Sequence, residues 1–410
     1  MATIGPGGVR FEEAIRFFRA KTRLPTQAWT DLWEGMHARA FVVAGATKDS
    51  LLADFQSAIQ KALEQGTTLE AFRKDFDRIV AAHGWSYRGG RNWRSAVIYN
   101  TNLRMATAAG RWEQIQRLKD RRPYLRYVGV LDNRIRPEHE SWHGTVLPVD
   151  HAWWHTHYPP NGWNCRCSVM QLSQADLDRN GWKVTEPPPA IAWEDRTIKT
   201  ADGGTTTLKV PKGIDTGFGY NVGIAGYGRG ADRTALEAHG KWEELQAPGA
   251  AARAMTPLKA EAPRAALAKR APPNDIAGGL ERALDSVLGG APERIFTDPA
   301  GERVRVSRAI IDHILADPKR QDGREAFFPL IPELIEDPAE ILVGFARSAE
   351  SGRVELRRRY VRLIALAKDT TVALVADRDN GAWSGFTFLR GEARYVARLR
   401  RGAVVAYRKS

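Results

Sequence analysis

Cysteine is nearly absent from this chain: Cys165 and Cys167 are the two in 410 residues, with one residue between them. A bridge between such neighbours would be strained and would close almost no loop, so a disulfide framework is excluded. Long apolar runs are missing too. No stretch approaches the roughly 18 apolar residues of a membrane-crossing helix, and the opening MATIGPGGVRFEEAIRFF has no continuous apolar core of the secretory type. Synthesis in the cytoplasm and no membrane span are therefore expected. Acidic residues are the minority charge, 48 against 61 Lys and Arg, for a net charge of +13. That excess favours an anionic partner, nucleic acid above all, because basic side chains gain affinity by releasing counterions from phosphates. A generally basic soluble protein remains the alternative.

What is present changes texture along the chain, and its length suggests more than one domain. Residues 11–120 have apolar positions three and four apart (Phe11, Ile15, Phe18; Leu52, Phe55, Ile59, Leu63), the mark of amphipathic helices. Thr67 and Glu70 have capping-box spacing, and Gly84 supplies a stop. A longer helix is expected from about Trp93 to Lys119, ended by basic residues and Pro123. From Tyr124 to Leu172 the runs YLRYVGV, GTVLPV and CRCSVMQL read as short strands. Residues 186–292, rich in Gly, Pro and Ala and poor in large apolar side chains, read as an extended linker. Beyond it two helices, VSRAIIDHIL and PLIPELIEDP, precede the alternating runs EILVGF, VELRRRYVRLIAL, TVALVAD, SGFTFL and GAVVAY. The fold class expected is multidomain α+β: residues 1–185, helical to about 120 and α+β from 121; a linker over 186–292; and an α+β domain with an antiparallel sheet over 293–410.

The densest chemistry lies in LDNRIRPEHESWHGTVLPVD and HYPPNGWNCRC. His139 and His143 are four apart. If Cys165 to Cys167 is extended, both sulfurs share one face. Two imidazoles and two thiolates would make a closed, structural zinc site. Buried cysteines acting as small hydrophobes, with polar histidines nearby, are the other reading.

The ordered segments AIRFFRAK, DLWEGMHARAFVVAG, VIYNTNLRMATAAGRW, DNRIRPEHESWHGTVLPVD and PPNGWNCRC resemble the Mu F-like head-morphogenesis family of tailed phages and prophages. The resemblance implies a minor capsid protein of the virion, associated with the portal and head interior, with portal and capsid proteins and packaged DNA as partners. It also implies a metal set: Asp132 keeps the acidic position, His139 falls on the second cysteine of a C-x-x-C pair, and Cys165 and Cys167 are retained. Arg136 stands at the first cysteine and Trp163 at the usual histidine, which leaves three ligands unless His143 is a fourth. Downstream, DTGFGYNVG resembles the aromatic-Asn-Gly segment of such proteins, with Val222 where proline is common.

From about Ile295 the chain resembles the barnase, EndoU, colicin and RelE-like nucleases, through SRAIIDHIL, LRRRYVRLIAL, SGFTFL and GAVVAY. The resemblance implies metal-independent cleavage, in which a base takes the ribose hydroxyl proton and cations stabilise the phosphate, with host RNA as substrate. His313 is the candidate acid or base. Arg357 and Arg359 share a strand face, Arg362 does not, and Arg359 and Arg362 are candidate phosphate ligands. Thr387 and Tyr407, in terminal strands, complete the candidate catalytic set. Residues 295–410 hold 21 basic and 16 acidic side chains, and six Lys or Arg follow Glu392 without an acid. Two other functions remain open: a phage-delivered toxin or effector ribonuclease, and a zinc-stabilised nucleic-acid-binding protein without catalysis.

Overall fold

The computed structural model describes residues 10–200, 203–227, 242–248, 258–366, 370–379, 382–391, 400 and 404–409. Two compact units divide the chain near residue 230, the first holding also residues 351–354. No described helix is long and apolar enough to cross a membrane.

The amino-terminal unit opens with α1 (Glu12–Arg19), acidic in its first turn and basic in its last as the helix dipole favours. Next come two-residue strands β1 (Thr22–Arg23) and β2 (Ala40–Phe41), paired in parallel around 3-10 turns at Trp29–Asp31 and Glu34–Ala38. A continuous run of α-helices was expected here. Instead the Asp31 carboxylate accepts the N–H groups of Gln27 and Ala28 at 2.7 and 3.2 Å, closing a turn where a helix would otherwise propagate. Then follow α2 (Asp49–Gln65), α3 (Leu69–His83) and α4 (Arg91–Leu118). Phe55, Phe72 and Phe76 are fully buried among these helices. The cap of α3 is Thr68, whose hydroxyl accepts from the Ala71 N–H, so the capping position lies one residue beyond the Thr67 read from spacing. Gly84 does end α3, in the left-handed conformation.

The chain then builds an antiparallel sheet ordered β4-β3-β5 from β3 (Tyr124–Val128), β4 (Val146–Pro148) and β5 (Ser168–Leu172). Between these strands lie α5 (Pro137–Ser141) and α6 (Trp154–His157), with α7 (Gln174–Asn180) after β5. Tyr127, Trp153, Trp154 and Tyr158 fill the core beneath them. The 186–292 stretch, read as linker, contains regular structure. β6 (Trp193–Lys199) and β7 (Thr205–Pro211) form a hairpin, and α8 (Val222–Tyr227) packs on α4. Its first turn is capped by Asn221, whose Oδ1 accepts from Gly223 and Ile224.

The carboxy-terminal unit includes β8 (Trp242–Leu245), β9 (Ala260–Glu261) and α9 (Ile276–Leu288), all from that same stretch, whereas residues 249–257 lie outside the described ones. It continues with β10 (Glu293–Thr297), β11 (Arg303–Ser307), α10 (Ala309–Leu315), α11 (Ile331–Glu336), β12 (Glu340–Ser348), β13 (Val354–Ile364), β14 (Thr370–Asp379), β15 (Ala382–Gly391) and β16 (Val404–Arg408). The sheet runs β10-β11-β15-β14-β13-β12-β16, with β8 added to β12 and β9 to β13. Its main ladders are antiparallel as expected, while β11–β15 and β9–β13 are parallel. Ile310, Ile314, Leu334 and Ile335 on the helices and Leu342, Val361 and Leu374 on the strands are completely buried.

Candidate functional site

Pro137 at the first position of α5 pre-sets the helical φ and begins the turn that carries His139. Opposite it, Asn164 takes a positive φ of 58°, folding the NCRC segment before β5 begins. Sulfur and imidazole converge there. Cys165 Sγ lies 3.6 Å and Cys167 Sγ 3.5 Å from His139 Nδ1, and all three donor atoms fall within 4.8 Å of one another. A tetrahedral zinc with Zn–S of about 2.3 Å and Zn–N of about 2.0 Å sets sulfur and nitrogen ~3.6 Å apart, so the spacing fits that ion. The other ring nitrogen, Nε2, is 2.9 Å from the Gly213 carbonyl. Donating there fixes the tautomer that leaves Nδ1 free to ligate. Gly213 has φ +82°, and a Cβ on it would lie 2.6 Å from the Glu138 Cβ, so this close approach needs glycine.

The two thiols act on each other's protons. Cys165 is lowered from the ordinary range by a hydrogen bond from Cys167 and by His139, against burial, and Cys167 is correspondingly raised. Buried Tyr127 beside them is raised by desolvation, and its hydroxyl donates to Asn161 Oδ1 at 2.9 Å. His143 points elsewhere: its Nδ1 accepts from the Gly129 N–H at 3.2 Å and its Nε2 lies 3.4 Å from Arg126. Among the described residues no fourth His, Cys, Asp or Glu joins the group. Arg136 and Trp163 are tied to a residue that sequence reasoning missed, Asp215. Its Oδ2 accepts from Arg136 Nη2 and from the Trp163 N–H, both at 2.8 Å. Asp132 forms a bidentate pair with Arg166, which holds its carboxyl well below the usual range.

The second set of residues lies in the carboxy-terminal unit. His313 on α10 is partly buried; desolvation, then Arg320, Arg324 and Arg357, lower it to about 4, while Asp317 opposes them. Arg320 Nη1 donates to the His313 carbonyl at 2.8 Å. Arg359 lies over Gly344, and Arg357 and Arg359 share the Glu244 carboxylate. Arg362 is instead sealed between Asp337 and Glu261, at 3.1 and 2.5 Å, with 3% of its side chain exposed. Thr387 lies on β15 opposite Val375, and Tyr407, half-buried on β16, lies opposite Ile341. The structure therefore brings Arg357 and Arg359 together on Glu244, and draws Arg362 into a different ion-pair network. Arg320 and Arg324 were missed because their role shows only once α10 and the turns after it are folded.

Residues 53–170 match the family described as Phage Mu protein F like protein, and residues 280–408 match that described as phage-Barnase-EndoU-ColicinE5/D-RelE like nuclease2. The chain is 34% identical over 241 residues to the putative capsid assembly protein F of Escherichia phage Mu, covering 53% of this chain and 55% of that protein. It is 32% identical over 223 residues to the Mu-like prophage FluMu F protein of Haemophilus influenzae, covering 50% and 54%. The chain thus spans about half the length of the curated relatives it matches. No solved structure gives a significant match. Both resemblances read from the sequence hold: a segment similar to Mu protein F is followed by a nuclease-like domain.

Proposed function

We propose that this chain is a minor head protein acting in phage head morphogenesis near the portal, and that its carboxy-terminal domain is a metal-independent ribonuclease. The first part rests on the similarity to two F proteins over half the chain, one of them named for capsid assembly. Mass spectrometry of purified particles from the source phage or an induced prophage should find this polypeptide at low copy. Its absence from intact heads would remove the reading. Within the Mu F-like segment, His139, Cys165 and Cys167 would supply three ligands to a zinc ion, which when bound would cross-link α5 to the NCRC segment.

The ribonuclease reading is supported by the match of residues 280–408 to the nuclease family, within which we assign His313 as the base. With its pKa near 4, His313 is uncharged at neutral pH, the form that accepts the 2′-hydroxyl proton. The oxygen so released attacks phosphorus, the bond to the 5′-oxygen breaks, that oxygen takes the proton His313 had accepted, directly or through water, and Arg357 and Arg359 balance the charge gathering on the phosphate. Arg362 acts on the chemistry only by holding β13 in place. A positioned base contributes about 100 to 10,000-fold, so His313→Ala in the full chain should slow cleavage of a labelled RNA in EDTA at least 100-fold, with the fold intact by circular dichroism. Undiminished cleavage by that variant would rule His313 out, and loss of wild-type activity in EDTA would demand a metal.

A further inference from the structure

The segment Trp242-Glu243-Glu244-Leu245 has two carboxylates in four residues, a composition with little strand preference of its own. It nevertheless forms β8 along the edge of β12, with Glu243 opposite Arg347, Glu244 opposite Ala346 and Trp242 opposite Ser348. Its partners explain why. Alternation puts Trp242 and Glu244 on one face and Glu243 on the other. Glu243 Oε2 accepts from Arg347 Nη2 at 2.9 Å. Glu244 reaches past β12 to β13, with Oε2 2.6 Å from Arg359 Nη2 and Oε1 3.6 Å from Arg357 Nη1. The Trp242 ring lies 5.0 Å from the Arg357 guanidinium, a cation–π stack.

The arginine side chains are 13% (Arg357) and 7% (Arg359) exposed, whereas Glu244 is 50% exposed and covers them from the solvent side. An anionic oxygen on a pair of guanidiniums, beside an aromatic ring stacked on one of them, is also how a single-stranded nucleic acid engages arginines: phosphate on the fork, base on the plane. We propose that Arg357 and Arg359 form the RNA-backbone site of the carboxy-terminal domain, and that β8 fills it as an internal stand-in for RNA. This rests on the ribonuclease reading and adds its regulation: Glu244 sits where a phosphate docks and Trp242 where a base stacks. The strap is displaceable, because the Glu243–Arg347 pair is exposed on both sides and holds weakly, and a four-residue edge strand adds few ladder bonds.

The test is binding of a labelled 20-nucleotide single-stranded RNA, 2′-O-methylated so that it cannot be cleaved, to the full chain in EDTA, read by fluorescence anisotropy, with cleavage of the unmodified RNA followed in parallel. Glu244→Gln keeps the side chain's size and removes its charge, so affinity should rise at least about fivefold at 0.1 M salt. The log–log salt dependence should steepen by about 0.7 for each arginine released, ~1.4 for two. Adding Arg359→Ala should cancel the gain. Trp242→Ala, which keeps both carboxylates, should raise affinity about twofold. Glu194→Gln on β6, an equal change in net charge, should leave affinity unchanged. Equal or lower affinity in a folded Glu244→Gln protein overturns the proposal, as does an equal gain from Glu194→Gln. If Glu244→Gln does not fold, unchanged or weaker binding by Trp242→Ala overturns it. Tighter binding with no cleavage by either protein defeats the ribonuclease reading and leaves the RNA site standing.

Discussion

His139 and His143 stand four residues apart, yet the fold separates their roles. The Gly129 N–H and Arg126 engage the ring of His143, while the Gly213 carbonyl anchors His139 beneath the two sulfurs. In the sequence the two histidines look equivalent, because the groups that distinguish them come from β3, the residue after it and the turn beyond β7. The two cysteines were legible, since residues at i and i+2 of an extended segment share a face wherever it packs. If the trio binds zinc, elemental analysis should find about one equivalent per chain, and Cys165→Ser should lower both metal content and melting temperature. A metal-free protein of unchanged stability would show that the sulfurs only pack. His313 carries a second prediction. Its folded-state pKa of about 4 lies below the unfolded value near 6.5, so above pH 6.5 neither state holds the proton and the group contributes nothing to stability. As pH falls from 6.5 towards 4 the unfolded chain takes up a proton the folded domain refuses, and stability drops. With part of the ring open to solvent, the loss should be about 2 kcal/mol, and His313→Gln should remove it in a urea-denaturation series across that range. His37 and His157, also lowered to about 4, give the same sign in the amino-terminal unit.

At the scale of elements, helices with long apolar periodicity and strands of β-branched runs were readable from local pattern, and α3, α4 and β12 to β16 fall where the pattern puts them. The elements missed lack such patterns or depend on distant partners. β8 is acidic and is held by arginines about a hundred residues later, and β9 has two residues set on the end of β13. α8 is short and depends on small residues. A Cβ on Gly223 would lie 2.1 Å from the Trp112 Cβ on α4, so the helix can dock only with glycine there. Gly223→Ala should therefore cost about 1–3 kcal/mol by overpacking, measured by chemical denaturation, even though alanine is the better helix former. A variant as stable as the parent would mean that α8 does not dock on Trp112 as described.

For the molecule as a whole, the sulfur–imidazole cluster belongs to one unit and the arginine face with His313 to the other. Chelation should accordingly lower the melting transition of the amino-terminal unit while RNA cleavage at 25 °C continues. Parallel loss of both would tie the chemistry to the metal. The charge excess was visible in composition, but its deployment was not: many of the arginines that looked like phosphate ligands already hold carboxylates within the fold, Arg362 with Asp337 and Glu261 most completely. One further consequence follows from Asp215. Its carboxylate fastens Arg136 and the Trp163 amide, the two positions at which the family resemblance would have put metal ligands. The loop is thus closed on α5 by an ion pair beside the sulfur cluster, and a Cβ on the adjacent Gly162 would fall 2.4 Å from that carboxylate. The contacts that close this corner on α5 need no metal, so a chain without the ion keeps a tie between the NCRC loop and α5.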